Sequence, residues 1–209
     1  MDFKELSTQY GIAITGGIAC GKSTIARIIA AQNYLVIDAD DVARKVVAPS
    51  SPGLKEIEAR FGLDVVNEDG ALNRAALRKI IVSDTHARKD LEAITHPKIH
   101  LETENILRKS GLFEKPRFWF YEAALIYEIG RQNQFSQVWV AYCQEEVQVK
   151  RIMTRDQCSL DDAKKIIGAQ MPVMEKVKKS TLAINTDITK DELGITVKNH
   201  LNNLPKDKS

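Results

Sequence analysis

The sequence predicts an α/β fold, built on a parallel sheet of five strands with a helical insertion and a later helical, charge-rich segment. Three observations predict it. Short apolar runs at residues 10–17, 34–40, 118–125, 138–143 and 182–185 have the length and bulk of buried strands. Helical stretches lie between them, so the strands are joined by crossovers and should run parallel. Residues 41–117 hold almost no strand signal, more chain than a single crossover needs.

The first run, YGIAITGG, is closed by glycines, and residues 22–32 follow with Ile25, Ile28 and Ile29 spaced for one buried helix face. The second run, YLVIDAD, ends in Asp38 and Asp40. Strand alternation would point both carboxylates to one side; either could instead cap the helix expected over 41–47. Pro49 and Pro52 end that helix. Residues 54–61, 73–82 and 84–109 read as helices, with a turn at Asp69-Gly70 and a break or kink at His96-Pro97. Residues 145–179 are helical, punctuated by Gly168 and Pro172, and the final NNLPKDKS reads as frayed.

Composition narrows the function classes. With 44% hydrophobic and 28% charged residues, the 209-residue chain is neither disordered nor fibrous. A net charge of +2 argues against the nucleic-acid backbone as main partner. The basic cluster Lys176, Lys178 and Lys179 lacks the interleaved aromatics of a single-strand binder. Cys20, Cys143 and Cys158 form no CxxC, which favours free thiols in a reducing, cytoplasmic setting. The opening MDFKELSTQY does not read as a signal peptide, and no membrane-spanning run is expected.

The chemistry is concentrated in Gly16-Gly17-Ile18-Ala19-Cys20-Gly21-Lys22-Ser23, which satisfies GxxxxGK[ST] between a predicted strand and a predicted helix. Glycines let backbone N–H groups turn around an anion, and the helix N-terminus adds partial positive charge there. Lys22 can reach the β- and γ-phosphates, the Ser23 hydroxyl can ligand Mg²⁺, and Thr24 adds a contact near the α-phosphate. A thiol at Cys20, close to a helix N-terminus, has either a lowered pKa or the plain role of a small side chain filling the loop.

Such a loop serves GTPases, ATP-driven machines and small-molecule kinases. The chain has neither NKxD nor LSGGQ, which leaves a kinase of a small acceptor in front. Asp40 is the candidate base for the acceptor hydroxyl. Glu122, near the end of the third run, is a candidate for holding water on Mg²⁺, or a surface carboxylate. Arg151 and Arg155 share a helix face and could neutralise a transferring phosphoryl group, or simply be solvated. A kinase of another small acceptor and a nucleotide-dependent switch remain as rivals.

The motifs TGGIACGKST, VIDADDVARKVV, FG with a downstream DG-x-LNR, LEAITHPKI, RDQCSLDDAKKIIGAQM and LAIN occur in that order, and the set resembles the dephospho-coenzyme A kinases. The resemblance implies a P-loop kinase core over residues 1–60 and 115–209, a helical coenzyme-binding insertion over 61–114, and a lid over about 145–179. It implies transfer of the ATP γ-phosphoryl group, with Mg²⁺, to the ribose 3′-hydroxyl of dephospho-coenzyme A, the last step of coenzyme A synthesis. It places the ATP phosphates on residues 19–24, the base at Asp40 and the lid arginine at Arg155, with Asn185 near the adenine. Arg74, His96 and Lys98 fall in the acceptor-binding insertion. His96 as a helix or turn cap and Asn185 as a turn residue are the plainer alternatives. No membrane or nucleic-acid partner is expected, and the chain should be a monomer or small homo-oligomer. The chain departs from the family pattern at Ala124-Leu125-Ile126, where Pro-Leu-Leu is usual, at Glu122, where Asp is common, and at Asn185-Thr-Asp, where Asn-x-Gly is usual.

Overall fold

The computed structural model describes residues 1–205. Its sheet contains β1 (Gly11–Gly16), β2 (Val36–Asp38), β3 (Trp119–Glu122), β4 (Gln137–Tyr142) and β5 (Leu182–Asn185) in the order β2-β3-β1-β4-β5, all parallel. β1 is central, in register with β3 from Gly11↔Trp119 and with β4 from Ile12↔Gln137. After β1 the chain goes to one side of the sheet, and after β3 it goes to the other. That reversal leaves the crevice outside the C-terminal end of β1, where open α/β sheets take their ligands.

Residues 1–37 and the chain from 111 onward form one compact unit, and residues 38–110 form another. The expected insertion, 61–114, lies largely inside the second. In the first unit, α2 (Lys22–Ala30) and α10 (Lys190–Asn202) cover one sheet face, with Ile25, Ile29, Val197 and Leu201 packed on Ile12, Ile14, Phe120 and Trp139. Two helices went unread in the sequence: α1 (Phe3–Tyr10) and α10. Each starts with a capping box, Asp2 with Glu5 and Thr189 with Glu192, the local signal that could have revealed them. Leu204, within the stretch expected to fray, packs into the core; residues 206–209 of that stretch lie outside the described residues.

The second unit is helical throughout its framework: α3 (Ala39–Val46), α4 (Pro52–Phe61), α5 (Arg74–Ser83) and α6 (Thr85–Lys109). Asp38, Ser51, Asn73 and Asp84 cap them in that order through side-chain oxygens. Two backbone N–H groups, of Ala87 and His86, donate to Asp84 and hold its carboxyl below the usual carboxylate range. Val47, Ile57, Val65 and Leu77 form the core, joined by Leu91 and Ile94 of α6.

Of the break or kink expected at His96-Pro97, the break does not occur. α6 runs through Pro97 as one helix of 25 residues. Pro97 removes a backbone donor, but nearby carbonyls gain side-chain donors: Thr95 Oγ1 bonds Leu91 O at 2.8 Å and Lys98 Nζ bonds Ile94 O at 3.2 Å. Packing of Ala87, Leu91, Ile94, Thr103 and Leu107 outweighs the one lost bond.

Ile57 is fully buried. Replacing it with Ala should cost about 2–5 kcal/mol by removing buried methylenes and leaving a cavity, read as a lower midpoint of urea unfolding; an unchanged midpoint would contradict this packing.

Candidate phosphate-binding site

The site begins where β1 stops. At Gly16 the backbone has φ +154°, and a Cβ there would lie 2.3 Å from the Ala141 carbonyl oxygen of β4. Only glycine tolerates this approach. Ala19 takes a left-handed conformation, φ +57°, and the Cys20 amide closes a turn on Gly17 O at 3.1 Å. Gly21, also left-handed at φ +82°, opens α2 without any side-chain cap.

Every carbonyl of this loop is already engaged. Gly16 O accepts from Lys176 Nζ at 3.4 Å, Gly17 O from Cys20 N, and Ile18 O from Gln148 Nε2 at 2.7 Å. Ala19 O accepts from Arg151 at 3.3 Å, Cys20 O from the Thr186 hydroxyl at 2.9 Å, and Gly21 O from the amides of Thr24 and Ile25. The amides divide differently. Ile18 N is bound to Gln170 Oε1 at 3.0 Å and Cys20 N to Gly17 O, but among the described residues those of Ala19, Gly21, Lys22 and Ser23 have no protein acceptor. Orphan donors at an uncapped helix N-terminus make an anion site.

Beside it is a cavity of about 360 Å³, lined by Ala19, Gly21, Ser23, Thr24, Arg151 and Arg155, with Ile188 and Leu193 as an apolar wall. α7 (Glu145–Asp156) supplies both arginines, as the spacing predicts. Arg151 is docked on Ala19 O and Thr186 O, the latter at 2.9 Å. Arg155 is more than half exposed and lies in a two-point ion pair with Asp156, 2.7 Å at Nε, which raises the guanidinium pKa. The segment 145–179, expected to be a lid, consists of α7, α8 (Leu160–Gly168) and α9 (Val173–Lys179).

Other expected residues fall as follows. Glu122 ends β3 opposite Ile14 and is half-buried. Asn185 Oδ1 accepts from Asp187 N at 2.9 Å, the turn role, while its neighbour Thr186 reaches the loop and lines the cavity. The Cys20 thiol is buried with its Sγ 3.5 Å from that of Cys143; the bond to Cys143, and then burial, push it up, so of the two readings the small packing side chain is the one that holds.

Asp40, Arg74, His96 and Lys98 belong to the second unit. β2 ends at Asp38, so the alternation argument fails: Asp38 is the helix cap, accepting from the amides of Asp40 and Asp41, and Asp40 stands exposed in the first turn of α3. Arg74 opens α5 and is exposed. His96 is exposed inside α6 and caps nothing, and Lys98 is paired to Glu56 at 2.7 Å. Sequence reasoning passed over Gln148, Gln170, Lys176 and Thr186, whose loop contacts span long sequence separations and leave no local pattern.

Known proteins resemble this chain in sequence and fold. The family model for dephospho-CoA kinase matches residues 10–192. A dephospho-CoA kinase of Geobacter sulfurreducens is 43% identical over 185 residues, 87% of this chain and 92% of its own length. The crystal structure of a Thermus thermophilus protein superposes with a TM-score of 0.76 at 28% identity, over 94% of this chain and 98% of that one. Dephospho-CoA kinase from Campylobacter jejuni superposes at 0.66 with 29% identity, over 92% and 95%.

Gly16→Ala should abolish binding of a nucleoside triphosphate measured by calorimetry, because the added methyl displaces β4 or the loop; wild-type affinity in that variant would refute the tight approach. Iodoacetamide should modify the half-buried Cys158 first, and Cys20 and Cys143 only on unfolding, as followed by mass spectrometry.

Proposed function

The chain belongs to the dephospho-CoA kinase family, and on that premise we propose that it transfers the γ-phosphoryl group of ATP to the ribose 3′-hydroxyl of dephospho-coenzyme A, giving coenzyme A and ADP. The observation that supports it best is the loop itself: amides with no acceptor among the described residues lead into α2, beside a cavity lined by two arginines.

The loop amides and Lys22 hold the triphosphate, with Thr24 toward the α-phosphate. Ile188 and Leu193 offer the nucleoside an apolar wall, and Asn185, next to Thr186 of the cavity lining, lies near the adenine end. Asp40 orients the acceptor hydroxyl and takes its proton as the oxygen attacks the γ-phosphorus and the bond to the β-phosphate oxygen breaks. Arg155 leaves Asp156 for the γ-phosphoryl oxygens, where a two-point charge-assisted bond is stronger than an exposed ion pair. Arg151, already fixed, adds charge beside it.

Ser23 and Glu122 are the residues that would hold Mg²⁺. The described residues contain no cluster of three or more His, Cys, Asp or Glu able to hold a metal. A hydroxyl and one carboxylate suit a hard cation that keeps waters and takes its other oxygens from phosphates. When bound, Mg²⁺ would neutralise charge on the β- and γ-oxygens.

Arg74, His96 and Lys98 are proposed to bind the acceptor. The second unit has an apolar cavity of about 400 Å³ lined by Val46, Pro52 and Leu101, with Lys45 and Lys98 at its wall, of a chemistry that suits a pantetheine arm joined to a diphosphate. We place the reaction in the cytoplasm, in a protein with three free cysteines whose described helices include none long and apolar enough to cross a membrane.

Incubation with ATP, Mg²⁺ and dephospho-coenzyme A should yield coenzyme A by mass spectrometry; phosphorylation of nucleosides alone would transfer the reading to another acceptor. Arg155→Ala should lower kcat by roughly 10²–10³, the usual loss of one transition-state donor. Asp40→Asn should lose turnover with ATP affinity intact, and normal turnover would remove it as the base.

A further inference from the structure

In the sequence Lys176 belongs to a basic cluster with Lys178 and Lys179. In the structure it is 0% exposed, while Lys178 and Lys179 stay in solvent. A buried ammonium is severely unfavourable unless its charge is paired and its three N–H donors are used. Here three acceptors meet them: Glu128 Oε1 at 2.6 Å, Ala124 O at 3.0 Å and Gly16 O at 3.4 Å.

These acceptors belong to separate parts of the site. Gly16 is the first residue of the phosphate loop. Ala124 follows β3, two residues beyond Glu122, and its carbonyl also accepts from the Thr15 hydroxyl of β1 at 3.0 Å. Glu128 accepts in addition from the Met171 amide at 3.2 Å, next to Gln170, whose side chain holds Ile18 N. One cation therefore ties α9, the turn before it, the end of β3 and the root of the loop.

We propose that Lys176 is a positioning residue for phosphoryl transfer: through the Gly16 and Ala124 carbonyls it fixes the root of the phosphate loop against the end of the strand bearing Glu122. Glu128 is its counter-ion, holding the ammonium on those carbonyls. Without the cation the Gly16 carbonyl loses its side-chain donor at the point where β1 gives way to the loop, and the following peptides, whose amides are proposed to face the triphosphate, lose that restraint. The effect falls on ATP and leaves the acceptor's binding untouched. This inference rests on the reading of the loop as the ATP site.

Lys176 is buried while the Glu128 side chain keeps some solvent, so removing Glu128 alone strands a buried ammonium, whereas replacing both with apolar side chains removes the charge together with its counter-ion. The test is therefore the double variant Glu128→Leu/Lys176→Met, beside Lys176→Met alone and the wild type. Calorimetry with ATP and Mg²⁺ gives Kd; steady-state kinetics give KM for each substrate; thermal unfolding gives Tm. The double variant should keep a Tm near wild type, lose roughly 10–100-fold in ATP affinity and in kcat/KM for ATP, as misplaced binding groups do, and keep its KM for dephospho-coenzyme A. Wild-type ATP affinity and turnover in the double variant would overturn the proposal, as would losses that fall equally on both substrates. If the double variant does not fold, Glu128→Gln decides: it must weaken ATP binding selectively, and unchanged ATP affinity overturns the proposal. A wild-type protein that binds no ATP would instead sink the underlying reading.

Discussion

A carbonyl oxygen and a polyphosphate repel each other, so a peptide loop can hold an anion only if its carbonyls are turned away and kept there. In this protein the constraint is met one residue at a time between Gly16 and Gly21. Four side chains, Lys176, Gln148, Arg151 and Thr186, and three backbone amides take up the six carbonyls, which leaves a set of amides facing outward. The close approach of Gly16 to Ala141 sets where the chain turns, and the side chains set which way each peptide faces. The opening of α2, the adjoining cavity and the two arginines acquire their meaning from that arrangement.

The local parts of this design were legible in the sequence. Gly16 and Gly21 announce the turn, Lys22 and Ser23 announce the helix behind it, and the alternating apolar runs announce the sheet that presents them. Arg151 and Arg155 could be paired because helical spacing is a short-range rule. The supporting donors were hidden because each reaches the loop across more than a hundred residues. Lys176 is the clearest case: in a run reading VMEKVKK nothing marks one lysine as interior and its neighbours as solvated. The preference is decided by Glu128 and two distant carbonyls.

The second unit shows the opposite failure, of local rules applied too far. Alternation from Val36 to Asp40 assumed that the strand continued to its last carboxylate, but Asp38 takes the amides of Asp40 and Asp41 and begins a helix there. The two aspartates thus have different tasks, one structural and one left exposed. At Pro97 the local penalty is real, but burial of Ala87, Thr103 and Leu107 and packing of Leu91 and Ile94 hold the helix together through it. In both places the contact that decided the outcome was chemically ordinary and lay a few residues from where the pattern was read.

The pair between Arg155 and Asp156 has a consequence of its own. A solvent-facing guanidinium is long and rotamer-rich, and anchoring it to the carboxylate beside it removes much of that freedom before any ligand arrives. The adjoining carboxylate also balances its charge at rest, so a stray singly charged anion meets a local dipole in place of a bare cation. On the proposed role of Arg155, a ligand has to displace that neighbour to recruit the side chain, which would favour guests bearing several negative charges over the simple salts that surround them.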